Sequence, residues 1–287
     1  MNRKQTVYIG RNNRLRVVKR VDFGLYLDGG VHGELLLPRR YVAEGTKPGD
    51  WLHVFVYPDS NDQLICTTER PLAMVGECAF LKVKDQNNVG TFMDWGLSKD
   101  LLVPFSEQAW PMNQGRSYVV YVYLDEQTER IAATTRFHKH LSEDGQNFEP
   151  GQAVKLMIAT QTKLGYKAVI NNTHLGLLFK PDLLQPLKFG QQVKGYIKSI
   201  RPDGKIDLSL QPPSDTVRDR LEEDILNYLQ AHEGISTITD KSPPQLIYKT
   251  FSASKANYKR ALGRLLKKQK VALEKDRIRL ATSHEGD

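Results

Sequence analysis

The feature that most constrains this chain is an internal repeat with a period of about 60 residues. The stretch "VVKRVDFGLYLDGGVHGELLLP" (Val17–Pro38) aligns with "KVKDQNNVGTFMDWGLSKDLLVP" (Lys82–Pro104), and a weaker third copy is "TKLGYKAVINNTHLGLLFKP" (Thr162–Pro181). The first two copies share a valine-rich start, a glycine four residues before an aspartate, and an apolar run ending in proline. Each copy leads through a glycine (Gly49, Gly115, Gly190) into a β-rich run, then into a last short strand: "LICTTERP", "RIAATTRF" and "KIDLSLQP".

Within each unit Val, Ile, Tyr, Phe and Thr alternate with polar residues, and Gly, Asn, Asp and Pro mark the turns, which predicts five short strands per unit. Asp28-Gly29-Gly30 and Asp203-Gly204 fit tight hairpin connections. Five strands in so short a unit lose their exposed edges by closing into a small barrel of the OB type. The expected barrels span 1–72, 73–138 and 147–213.

After Pro212-Pro213 the period changes from two to about 3.6. In "SDTVRDRLEEDILNYLQAHEG" the residues Val217, Leu221, Ile225, Tyr228 and Leu229 form one stripe, so a helix is expected, capped by Ser214 or Asp215 and ended by Gly234. "SPPQLIYKTF" predicts a short second helix with Ser242 at its N-cap. Ser252 or Ser254 would cap a third, over Lys255–Gln269, and "KVALEKDRIRLA" reads as a strand, a turn and a strand. Three helices and a hairpin make a winged helix-turn-helix order, expected over 214–283. The fold class is thus mostly β with a C-terminal α+β unit: three tandem five-stranded barrels, then a winged helix.

A net charge of +8 favours a polyanionic partner. The positive charge lies in the first residues, the third unit and the C-terminal unit, while the middle is neutral to acidic. The N-terminal strip holds Arg3, Lys4, Arg11, Arg14, Arg16, Lys19 and Arg20 without an acid, either as an added strand on the first barrel or as a basic arm. No apolar run reaches the ~20 residues of a membrane span, and no secretory leader is evident. Cys66 and Cys78 are too few for a disulfide framework and read as small buried apolar residues in a reducing cytoplasm.

No enzyme is expected. The chain has no phosphate-binding glycine loop and no nucleophile elbow, and "FHKH" places His138 and His140 in a surface loop rather than at a metal. Asp28, Asp94 and Asp125 are explained by local backbone bonding in turns. No cofactor is implied.

The repeated units resemble S1-type RNA-binding domains through "FGLYLDGGVHGELLLP" and "GKIDLSLQP". The whole order is similar to the bacterial conserved virulence factor B family, most specifically in "IRPDGKIDLSLQP" and "SKANYKRALGRLLKKQKV". The resemblance implies an RNA face of aromatics on strands two and three with basic residues near strand five. Carried over, it selects Phe23 and Tyr26 in the first unit, with Leu36 where a histidine or aromatic is usual. In the second it selects Phe92 and Arg130, with Val89 and Leu102 at the other positions. The third offers Lys167, Phe179, Arg201 and Lys205, with Leu164 at the leading position. No unit has the full set, so a composite surface is expected.

The third helix of the C-terminal unit has its own candidate face. On a helical wheel Tyr258, Ala261, Leu262, Leu265 and Leu266 fall on the core side, and Asn257, Arg260, Arg264 and Lys267 fall opposite. Eight Lys and Arg lie from Lys249 to Lys270 with no Asp or Glu among them, whereas a solvated helix face normally mixes signs. The expected protein is a cytoplasmic, non-catalytic binder of single-stranded RNA, acting in post-transcriptional regulation as the resemblance implies. The alternatives are a DNA-binding regulator that reads duplex DNA with the winged helix, and a protein-docking adaptor.

Overall fold

The computed structural model describes residues 6–281, except Leu184, Pro213, Ser254 and Lys275 and the side chains of 214–220 and Ala256. Arg3 and Lys4 of the basic strip lie outside the described residues. The chain forms two compact units, Met1–Leu210 and Gln211–Asp287.

The first unit is three closed barrels of five strands. The first is built from β1 (Asn12–Val21), β2 (Gly24–Asp28), β3 (Glu34–Pro38), β4 (Trp51–Pro58) and β5 (Leu64–Thr67). The second holds β6 (Cys78–Gln86), β7 (Gly90–Asp94), β8 (Leu101–Pro104), β9 (Ser117–Leu124) and β10 (Ile131–Thr134). The third holds β11 (Ala153–Gln161), β12 (Gly165–Ile170), β13 (His174–Phe179), β14 (Gln192–Ile200) and β15 (Ile206–Ser209). Around each barrel the strands run first, second, third, fifth, fourth, and the fourth closes on the first. Third and fifth strands meet in parallel, at Leu36 with Ile65, Leu102 with Ala132, and Leu177 with Asp207.

Alternation fills the interiors. In β1, Leu15 and Val17 point inward while Arg14 and Arg16 face out, and in β6 Leu81 and Val83 repeat the pattern. The basic strip from Asn12 onward is therefore the barrel's own first strand. Each first strand breaks register at the same place, between Val17 and Lys19, Val83 and Asp85, and Ile158 and Thr160. Such bulges add the local twist that lets a short sheet curl. Each second strand opens on a glycine facing the third strand's backbone. A Cβ there would stand 2.2 Å from Leu37 O at Gly24, 2.4 Å from Val103 O at Gly90 and 1.8 Å from Leu178 O at Gly165. The turn aspartates act as expected: Asp28, Asp94 and Asp125 accept from Gly30, Gly96 and Gln127 N–H.

The barrels share buried surface with their neighbours. Phe55 and Tyr57 of the first barrel join the core of the second, where Trp95 meets Phe55 edge-on at 5.8 Å. Between second and third, Val119, Leu141, Met157, Val169 and Leu175 bury together with Cys78, whose N–H donates to Asn172 Oδ1 at 3.1 Å. Burial pushes the thiols of Cys66 and Cys78 up to about 12, with Glu77 adding to the effect at Cys78, so both cysteines are inert apolar fillers.

The second unit contains α1 (Ser214–Ala231), β16 (Ile235–Ser236), α2 (Pro244–Phe251), α3 (Lys255–Lys267), β17 (Val271–Leu273) and β18 (Ile278–Leu280). The strands form one small sheet in the order β16, β18, β17. Leu221, Ile225 and Leu229 of α1 pack on Ile247 and Phe251 of α2 and on Tyr258, Leu262 and Leu265 of α3. Leu266, expected in this core, is 44% exposed. Ser242 does not cap α2: Pro243 holds that position, and Ser242 Oγ instead accepts from Thr239 N–H. Ser252 ends α2 in a left-handed conformation at φ 50° rather than starting α3. The side chains proposed to cap α1, and those of Val217 and Ser254, lie outside the described residues. Among the described residues no helix is long and apolar enough to cross a membrane.

Candidate nucleic-acid interface

Strand register aligns the three outer barrel faces position by position. Lys19, Tyr26, Leu36 and Ile65 run across the first; Asp85, Phe92, Leu102 and Ala132 across the second; Thr160, Lys167, Leu177 and Asp207 across the third. Just ahead of each second-strand glycine stands an exposed apolar side chain: Phe23, Val89 or Leu164.

On the first barrel Phe23 and Tyr26 meet edge to face, with ring centroids 6.3 Å apart. Lys19 Nζ lies 4.9 Å from the Tyr26 centroid and pairs with Glu34 at 2.6 Å. This face offers stacking surface beside a cation. Sequence reasoning missed Lys19 as a partner of Tyr26, although the strand register supplies that pairing.

The second barrel's face is apolar and lacks that cation. Phe92 is half-buried, Phe105 is exposed just after the third strand with its N–H donating to Val89 O, and Asp85 stands where the first barrel has Lys19. Arg130 is paired at the joint instead: its Nε donates to Asp62 Oδ1 at 2.9 Å and its Nη2 to Asp62 Oδ2, linking the second barrel to the first through an exposed pair. Lys99 strengthens the same joint, donating to Pro58 O at 3.0 Å. His140 of the "FHKH" loop stacks on Tyr121 and Tyr123, and burial lowers its pKa.

The third barrel brings together all four residues that the sequence suggested for it: Lys167, Phe179, Arg201 and Lys205. Lys163, Lys167, Arg201 and Lys205 line a groove of about 430 Å³ with Leu164 and Leu177 in its walls. Arg201 sits over the Phe179 ring, its Cζ 5.4 Å from the centroid. Three of these cations hold carboxylates: Lys167 with Glu143 at 2.7 Å, Arg201 with Asp207 at 2.7 Å, and Lys205 with Asp203 at 3.2 Å. The hydrogen bond from Lys205 holds the Asp203 carboxyl below its usual range. Surface pairs of this kind contribute about 0–1 kcal/mol each, so an arriving phosphate can take the carboxylate's place at small cost. Lys163 has no carboxylate partner among the described residues.

On α3 the basic face is divided. Arg260 Nη2 donates to Asn257 Oδ1 at 2.7 Å, and Lys267 is exposed. Arg264 and Lys268 instead reach across to the buried Glu222 of α1, at 2.5 and 2.7 Å. The acid missing from the local sequence is supplied by another helix. Burial alone would raise the Glu222 pKa, but the hydrogen bonds from Lys268 and Arg264 outweigh it and lower it.

Because the folded-state pKa lies below the ordinary glutamate value, this clamp stabilises fully above that value and is lost as pH falls through the lowered one. Glu222→Gln is expected to cost the C-terminal unit about 1–3 kcal/mol at neutral pH. Urea unfolding across pH should show the gap between wild type and variant closing in acid.

Residues 9–69 and 75–136 match the S1 domain, and residues 223–280 match the CvfB-like winged helix domain. Together with three closed barrels, these matches define a multidomain protein built from nucleic-acid-binding modules. The third barrel lies beyond the matched S1 residues but repeats their strand order, bulge and glycine.

The chain is 30% identical over 279 residues to the uncharacterized protein YitL of Bacillus subtilis strain 168, covering 92% of this chain and 91% of that one. It is 25% identical to conserved virulence factor B of Staphylococcus saprophyticus, over 81% of this chain and 80% of the relative. The same protein of Staphylococcus epidermidis is 25% identical, over 89% of each chain. The chain belongs to the conserved virulence factor B family. A crystal structure of a multidomain protein with nucleic acid binding domains from Streptococcus pneumoniae covers 95% of this chain and 98% of that one, at 23% identity and a TM-score of 0.40.

Proposed function

We propose that this protein is a non-catalytic, cytoplasmic RNA-binding protein that holds single-stranded RNA on its tandem barrels, assisted by the winged helix, in post-transcriptional regulation of gene expression. The observation that carries the reading is the third barrel's groove, where four cations surround exposed apolar walls and an arginine stacks on Phe179. Unpaired bases stack on aromatic and apolar faces while their phosphates follow cations. Duplex DNA keeps its bases stacked inside and offers no such surface to Phe23, Tyr26 or Phe179.

The division of the α3 face weighs against the duplex-reading alternative. Arg264 and Lys268 stabilise the winged helix through Glu222, which leaves fewer cations free to face phosphates. Arg260→Ala combined with Lys267→Ala tests this without touching the clamp. The expected result is that most affinity for single-stranded RNA survives, measured by fluorescence anisotropy. Loss of all nucleic-acid binding would move the function to the winged helix.

A further inference from the structure

A second cleft, of about 350 Å³, lies between the second and third barrels and shares only Thr160 with the aligned strand faces described above. Trp110 and Tyr118 wall it from the second barrel, and Phe189 walls it from the loop that leads into β14. Its floor is the buried pair Val119 and Ala159. Trp110 is 37% exposed and Phe189 is 48% exposed, so aromatic surface faces solvent here.

The walls are held in place by the fold. Asn113 N–H donates to Tyr118 Oη at 2.9 Å, which fixes that ring. Phe189 is seated by its neighbour Gly190, whose N–H donates to Ile158 O at 2.8 Å. Gly190 lies at φ +74° with its Cα against Phe80, where a Cβ would stand 2.2 Å from the ring. At the rim are Arg116 and the amides of Asn113 and Gln161. Like Lys163, and unlike the three paired cations of the groove, Arg116 has no carboxylate partner among the described residues.

We infer that this cleft binds one unpaired nucleobase of a single strand whose neighbouring nucleotides lie in the third barrel's groove. The inference rests on the proposed RNA-binding function and adds a site to it. The two features adjoin along the chain: Ala159, Thr160 and Gln161 line the cleft, and Thr162, Lys163 and Leu164 line the groove. Thr162–Leu164 form the turn between β11 and β12, so the end of one strand lines the cleft and the turn that follows it lines the groove.

The cleft lies at the small end of ligand sites, which run from about 300 to 1,000 Å³, and so suits a flat ring. Aromatic walls supply stacking, side-chain amides supply donors and acceptors for a base edge, and Arg116 supplies a phosphate contact. A peptide side chain could fill the same space. The unpaired guanidinium and the cation-lined groove beside it select a polyanion instead.

The test uses the full chain with fluorescein-labelled oligouridylate of about 12 nucleotides and an oligodeoxythymidylate of the same length. Phe189→Ala is expected to weaken binding of both about five-fold or more, as loss of one stacked base requires. Arg116→Ala is expected to weaken it and to flatten the salt dependence by about 0.7 in slope.

Photo-crosslinking with 5-iodouridine RNA is expected to label Trp110, Tyr118 or Phe189, and it decides the matter if Phe189→Ala lowers the melting temperature. Wild-type affinity in both variants, with no crosslink in the cleft, would overturn the inference; if groove variants still lost RNA, the proposed function would stand. Binding of neither oligonucleotide by the wild type would overturn both. Retention of a protein partner that depends on Phe189, with oligonucleotide binding indifferent to it, would make the cleft a protein site and overturn the inference.

Discussion

Replacing Lys167, Arg201 and Lys205 together by alanine is expected to lower affinity for single-stranded RNA about a hundred-fold near 0.1 M salt. Each cation that meets a phosphate of a single strand contributes about 0.7 to the slope of log affinity against log salt, so the slope should flatten by about 2. The loss is enlarged by what remains. Glu143, Asp203 and Asp207 now neutralise these cations, and without them they would present three bare carboxylates to the phosphates. The same variant should keep its fold, because two of the pairs it removes are exposed and the third, Arg201–Asp207, is only part-buried, with Ser199 Oγ still in reach of the Asp207 carboxylate. Anisotropy titrations at two salt concentrations, with a thermal melt beside them, measure both parts.

The largest effect on stability is expected at the joint between the first two barrels. Trp95 is buried to 2% exposure, its Nε1 donates to Lys99 O at 2.6 Å, and its ring meets Phe55 across the joint. Trp95→Ala removes the ring from a core to which both barrels contribute, leaves a cavity that packed strands cannot close, and strands the Lys99 carbonyl. The expected cost is about 3–5 kcal/mol, read as a lower urea midpoint for the barrel unit. Arg130→Ala, which removes only the exposed Asp62 pair at the same joint, should shift the midpoint far less. Equal effects from the two variants would mean that the joint is held by charge rather than by packing.

The barrels could be read from the sequence because their code is local. A period of two, a glycine where each second strand meets the third, and a recurring spacing all survive low identity between the copies. The groove residues of the third barrel were legible for a related reason: strand order carries Lys167, Phe179, Arg201 and Lys205 onto one face once the S1 resemblance is accepted. What the sequence hid is the partner of each charge. Arg130 is bound by Asp62, 68 residues away, and Arg264 by Glu222, 42 residues away.

An acid count along "SKANYKRALGRLLKKQK" therefore suggested a free basic face where the folded unit has a clamp. Phe105 was missed as well, because it follows the third strand and no alternation marks it. The cleft of Trp110, Tyr118 and Phe189 is composed from two repeats, and a pattern read within one repeat cannot show it. The strand β16 was missed because two residues are too short to carry a period.

The central claim is that single-stranded RNA lies on the barrels. It is tested most directly by titrating the full chain against a labelled single-stranded RNA and a duplex DNA of the same sequence, at two salt concentrations. The account predicts tighter binding of the RNA, with a moderate salt slope that reflects stacking as well as charge. Tighter binding of the duplex, with a steep slope, would contradict it and place the function on the winged helix.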